Sequence, residues 1–170
     1  MATTHHNISG ELTQELLAVG DGVNVTSISL TNIHASTTCS VDLYIEKQLT
    51  GKFYVEKSLA LAVGTSVTLK DVKFSNKANQ FGLFIKLGKP AVFTLTGTID
   101  PAASVTVPGV NTLFLSEIAI GDEIIVTGQT RTVTAIASNT SLTVSAAFSN
   151  NSNDTTPDCS PKPNVDVIIN

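Results

Sequence analysis

Hydrophobic and polar positions alternate with a period of two along most of residues 23–87, the signature of half-buried β-strands. Val23 and Val25 share one face, and Ile28 and Leu30 fall on the other parity, so the phase slips near Thr26-Ser27 and predicts a bulge there. Val41, Leu43 and Ile45 point one way and Asp42, Tyr44 and Glu46 the other. The stretch Leu49-Thr50-Gly51-Lys52 reads as a hairpin turn before Phe53, Val55, Leu59, Leu61 and Val63. Gly64 turns the chain into Val67 and Leu69, and Phe81, Leu83, Ile85 and Leu87 form a further strand. Residues 7–20 are different: Leu12, Leu16 and Val19 have helix-like spacing, while Glu11 and Glu15 place like charges four apart and disfavour an isolated helix. A short helix and an irregular strand are both open there. The segment 1–20 is read as an N-terminal arm, an anchor for a neighbouring subunit or a frayed end.

After Gly88-Lys89-Pro90 the texture changes. Short apolar segments at 93–99, 113–115, 123–126, 132–136 and 142–148 are separated by turns such as Asp100-Pro101, Pro108-Gly109, Gly121-Asp122, Gly128-Gln129 and Ser138-Asn139. Such spacing predicts a small closed or nearly closed β-barrel over 93–156. Residues 149–163, rich in Ser, Asn, Asp and Pro, read as an exposed mobile loop. The β-branched terminus Val165–Asn170 needs a strand partner. Without the barrel it would form a hairpin with Phe81–Leu87, because consecutive strands usually neighbour each other. The expected architecture is all-β: an antiparallel sandwich of jelly-roll or immunoglobulin-like type, built from 21–92 plus 161–170. The small barrel is inserted before its last strand.

Composition narrows the partners. The chain has 170 residues, 42% of them hydrophobic and 14% charged; this is too apolar for a disordered protein. Net charge is −4, with no basic block, so nucleic acid is not an expected partner. No apolar run approaches the ~20 residues of a membrane helix, and no membrane association is expected. The first residues lack the pattern of a secretory signal. Residues 94–156 carry Asp100, Glu117, Asp122, Glu123 and Asp154 against Arg131 alone, which makes the insert acidic.

Candidate chemistry is sparse. His5-His6 could ligate a metal, but no carboxylate or thiol lies nearby in sequence, and His34 reads as a hydrogen-bonded turn residue. Cys39 and Cys159 read as free thiols, with a long-range bridge open if the two segments meet. No nucleophile elbow is present. Asp122-Glu123 follow a turn glycine and are expected to face solvent and a loop. Gly20-Asp21-Gly22 is not a phosphate loop, and the loop 149–158 lacks the regular spacing of a calcium loop. The expectation is a protein with no catalytic, cofactor-binding or metal-binding residues, and not an enzyme.

The series LTNIHASTTCSVDLYIEK, FYVEKSLALAVGTSVTLKD, FGLFIKLG and VDVIIN resembles the small β-sandwich structural proteins of tailed bacteriophages. The turn Leu61–Leu69 corresponds to their I-P-x-G turn, with Ala62 and Val63 where proline is frequent. IGDEIIVTGQTRTVTAIASNTSLTVSAAF is similar to a small barrel module of phage virion proteins. The resemblance implies a capsid decoration protein on the virion surface, made in the host cytoplasm. The implied partners are the major capsid protein or other virion proteins, and the implied state is a homo-oligomer, a trimer being one arrangement. The alternative it implies is a tail, neck or fibre component that contacts the host surface. With aromatics at 5% and most Phe at alternating positions expected in the core, a sugar-binding face is disfavoured.

Overall fold

The computed structural model describes residues 3–47, 51–75, 81–101, 103–149 and 152–170. The chain forms two compact units, one running to Lys89 and resuming at Pro163–Asn170, the other spanning Pro90–Lys162. The first contains β1 (Thr4–Ser9), β2 (Gln14–Leu17), β3 (Asn24–Asn32), β4 (Cys39–Lys47), β5 (Gly51–Leu61), β6 (Ser66–Ser75), β7 (Gly82–Leu87) and β15 (Asn164–Ile169). The second contains β8 (Phe93–Thr94), β9 (Thr98–Ile99), β10 (Thr106–Val110), α1 (Phe114–Glu117), β11 (Glu123–Val126), β12 (Gln129–Ser138), β13 (Ser141–Val144) and β14 (Asp158–Ser160).

The first unit is a sandwich of two antiparallel sheets, β1-β15-β3-β6 and β2-β7-β4-β5. Numbered one to eight along the chain, its strands run 1-8-3-6 and 2-7-4-5, which is the order of a jelly roll rather than of an immunoglobulin domain. The core lies between the sheets. Ile28 and Leu30 of β3, Val41 and Leu43 of β4, Ile85 and Leu87 of β7 and Val165 of β15 are fully buried there, each stabilising by about 1.5–3 kcal/mol relative to exposure. The phase slip in β3 is a register shift between Val25 and Ser27, and the freed Thr26 N–H donates to Asn170 O at 2.7 Å.

Three expectations are corrected here. Phe81–Leu87 and Val165–Ile169 do not pair: β7 lies between β2 and β4, and β15 lies between β1 and β3 in the other sheet. A Greek-key return brings the last strand beside the first, so sequence adjacency misleads. Residues 1–20 are not an arm, because β1 pairs along its whole length with β15, Thr4↔Ile169 to Ser9↔Asn164, and β2 pairs with β7. Gly10 at φ 83° breaks any helix, and a register shift between Glu15 and Leu17 lets both Leu16 and Leu17 reach the core. Leu12, a member of the expected stripe, is instead 81% exposed on the β1–β2 connection. Finally, the described part of 149–163 is not a free loop: β14 is paired with β11 and β8, and Cys159 is fully buried. The expected turn at 49–52 begins in residues outside the described set.

The second unit is a seven-stranded sheet, β8-β14-β11-β12-β13-β10-β9. Its end strand β9 meets the stretch that leads into β14 through Ile99 and Asp154, whose backbones exchange two hydrogen bonds of 2.9 Å. That is an isolated bridge and not a continuous ladder. Leu113–Leu115, expected as strand, belongs to the one-turn α1 and its N-cap; Phe114 fills the core of this unit while Leu113 and Leu115 are exposed.

Candidate functional site

The side chains singled out for chemistry are mostly engaged in holding the backbone. His34 is buried, and its Nδ1 accepts the N–H groups of Ser36 at 3.1 Å and Thr37 at 3.2 Å. Beside it, the buried Asn32 carboxamide donates to Thr37 O and Leu61 O and accepts from His34 N–H. Together they pin the connection between β3 and β4, a satisfied buried network. His5 and His6 lie side by side on β1; burial first, and then the neighbouring His5, hold the His6 imidazole below its ordinary range. No group of three or more His, Cys, Asp or Glu suited to a metal occurs among the described residues.

Cys39 and Cys159 are free, buried thiols. Burial raises both, and Cys159 is raised further by the Asp122 carboxylate 3.8 Å away. A raised thiol is a poor nucleophile. Asp122 itself corrects the expectation of a solvent-facing carboxylate. It is 1% exposed and accepts the backbone N–H groups of Ala119 and Lys162, each at 2.8 Å. The same turn occurs in the first unit, where Ala18-Val19-Gly20-Asp21 repeats the pattern of Ala119-Ile120-Gly121-Asp122. In both, the Asp carboxylate accepts from the Ala N–H, and the Gly adopts positive φ, 91° and 100°. Asp154, in the Asn/Asp-rich stretch, accepts from Thr127 N–H at 2.6 Å and Thr156 N–H at 2.9 Å. Its oxygens brace the fold.

What the molecule offers to partners is surface. On the outer face of the β2-β7-β4-β5 sheet, Phe84, Tyr44 and Tyr54 lie in one cross-strand row. The Tyr44 ring stacks on Phe84 at 5.8 Å and 17°, and meets Tyr54 at 5.6 Å. Lys52 Nζ lies 4.3 Å above the Tyr44 ring and donates to its hydroxyl; this hydrogen bond is the main reason the lysine is raised. Lys57 Nζ lies over Tyr54, which is 45% exposed. Most Phe are core residues, as expected: Phe74, Phe114 and Phe148 are buried and Phe81 and Phe93 pack against the cores, whereas Phe53 is 53% exposed and Phe84 belongs to this outer row. The parity of β4 and β7 carried that signal, since Tyr44 and Phe84 alternate with the core positions.

A second surface lies where the sandwich is open, between edge strands β5 and β6. Both strands bulge there. β6 takes four residue steps from Lys70 to Phe74 while β3 takes two, and β5 takes three from Glu56 to Leu59 while β4 takes two. Non-glycine residues in the left-handed region, Ser58 (φ 53°) and Asp71 (φ 59°), mark the two distortions. Between them lies a groove of about 560 Å³, floored by Ile45, Val55, Leu69, Val72 and Phe74 and rimmed by charged side chains. Bulges of this kind open a sheet edge and block its continuation by another strand. The groove can take an apolar side chain or loop and hold it with flanking charge.

The chain matches no protein-family model. It also matches no curated protein. Among solved structures, that of infectious bursal disease virus Gx strain aligns over 98% of this chain at 9% identity and a TM-score of 0.23. The chain spans 32% of the length of that one. A likeness this remote carries no argument about function.

Proposed function

We propose that this chain is a non-enzymatic virion structural protein that decorates the head of a tailed bacteriophage by binding its major capsid protein. The observation that carries the reading is the pairing of a rigid jelly-roll sandwich with an apolar groove at its open β5–β6 edge. Such a surface binds other proteins by area and shape. Jelly rolls also serve in lectins and cupins, so the fold alone selects no function. The polar groups that could have done chemistry, His34, Asp122 and Asp154, accept backbone hydrogen bonds instead. The resemblance of the 30–88 series to phage β-sandwich proteins points the same way. The acidic second unit, with six acidic against two basic side chains over Pro90–Lys162, suits a part exposed to solvent, where like charge keeps particles apart.

The test is co-sedimentation of the purified protein with phage heads that lack it. Saturable binding in proportion to capsid subunits supports decoration; no binding to heads overturns it. A second reading, a tail, neck or fibre component that touches the host, is favoured by Tyr54, half-exposed on the outer sheet face beside the buried Tyr44, because a flat ring on a sheet face can stack on a sugar. Binding to host cells but not to heads would select it.

A further inference from the structure

We infer that β1 is a detachable strand gated by pH: it stays on β15 while His6 is neutral and comes away when His6 is protonated. The inference goes beyond the decoration reading and does not depend on it. Its basis is the inward face of β1. The register with β15 sets Thr4, His6 and Ile8 on the core side, opposite Ile169, Val167 and Val165. Only Ile8 of the three β1 residues is apolar, whereas all three of their β15 partners are apolar and buried. Among the described residues, the buried side-chain polar atoms without a hydrogen-bond partner are Thr4 Oγ1, His6 Nε2 and Asn164 Oδ1, and all three belong to this one ladder.

An uncharged imidazole tolerates this position, because with its proton on Nδ1 the bare Nε2 donates nothing. The cation carries N–H on both nitrogens and so buries a charged donor with no acceptor. No counter-charge faces it. The core-side residues of β15 and of the facing strands β2 and β7, among them Val167, Leu16 and Ile85, are apolar. The ionisable groups of these strands, His5 of β1, Asp166 of β15, Glu15 of β2 and Lys86 of β7, alternate with core positions and face outward, and Glu11 stands exposed on the β1–β2 connection. Burial and the neighbouring His5 both favour the neutral ring. Release is local. β1 is an edge strand, so its departure breaks one ladder and leaves β15-β3-β6 whole. The other ties to β15 and the terminus, Asn7 to Asp166 and Thr3 to Asn170, are exposed side-chain hydrogen bonds. Gly10, at φ 83° and held by its N–H to Pro163 O, ends the strand and supplies the hinge.

The experiment is amide exchange on the full chain, read by peptide mass spectrometry and corrected for the intrinsic pH dependence of exchange. A released imidazole takes its proton near pH 6.5 and the docked one only at lower pH. Opening therefore takes up a proton, and β1 is expected to lose protection as pH falls below about 6.5, by up to about tenfold per pH unit. β6, the other edge of the same sheet, is expected to hold level over that range. His6→Leu is expected to give a flat profile and stronger protection of β1. His6→Gln, polar but uncharged, is expected to be flat as well and keeps the test open if the leucine variant does not fold. His5→Gln, on the outer face, is expected to retain the dependence. A wild-type β1 with level protection down to about pH 5 overturns the inference, since any docked histidine of ordinary range titrates within that window. So does a pH dependence that survives in the foldable His6 variants, or one that His5→Gln abolishes.

Discussion

Replacing Asp122 by alanine removes the acceptor of two backbone N–H groups, those of Ala119 and Lys162, both at 2.8 Å. One fixes the turn that enters β11, and the other holds the chain two residues after β14. Each bond to a charged acceptor contributes about 1–1.5 kcal/mol net once the desolvation of a buried carboxylate is set against it, so the loss is ~2–3 kcal/mol. Asp21→Ala is the internal control. It makes the same change in the same four-residue turn, but the carboxylate is exposed and holds the Ala18 N–H at 2.9 Å, so the expected loss is below about 1 kcal/mol. Asp122→Asn keeps one acceptor oxygen and should fall between. Because the chain has two units, a single melting curve mixes them. Amide exchange followed by peptide mass spectrometry in urea resolves each unit. Equal losses for Asp122→Ala and Asp21→Ala, or a neutral Asp122→Ala, would refute the claim that burial makes this turn a clamp.

Two other changes probe the units separately. Burial and Asp122 keep the Cys159 thiol protonated to higher pH in the folded chain than in the unfolded chain, where it titrates near 8.5. The folded state then holds the extra proton, so the second unit should lose stability as pH rises above about 8.5, by up to ~1.4 kcal/mol per pH unit; Cys159→Ala should flatten that slope in alkaline urea titrations. Truncating Val165–Asn170 removes a central strand and unpairs β1 and β3, not β7. Exchange should collapse protection across β1 and β3 first, and a truncated protein melting at the parental temperature would contradict the sheet order.

The local alternation of β3, β4 and β7 was legible in the sequence because each has one buried face, and period two reports that directly. The bulge at Thr26 was legible for the same reason, as a change of parity between Val25 and Ile28. Pairing was harder. β15 and β7 both read as apolar strands, and nothing in Val165–Ile169 tells one sheet from the other; the Greek-key return is set by packing across the whole sandwich. β1 was missed because Thr, His and Asn alternate with few apolar residues, leaving Ile8 as its single fully buried anchor. The helix-like spacing of Leu12, Leu16 and Val19 misleads because Leu12 and Val19 lie exposed in the connections on either side of β2 and only Leu16 of the three reaches the core. Of the candidate site, parity places Tyr44 and Phe84 on the outer sheet face, but it does not show that Tyr44 is buried there beneath Phe84, Tyr54 and Lys52. The groove was not legible, since it arises from bulges in two strands far apart in sequence.

Stoichiometry in the virion tests the proposed place on a phage head most directly. Quantitative mass spectrometry of purified virions would compare this protein with the major capsid protein. Decoration predicts a ratio within a few-fold of the capsid subunit. A ratio matching the portal or baseplate would move the protein to the neck or tail, and its absence from the particle would contradict a virion role altogether.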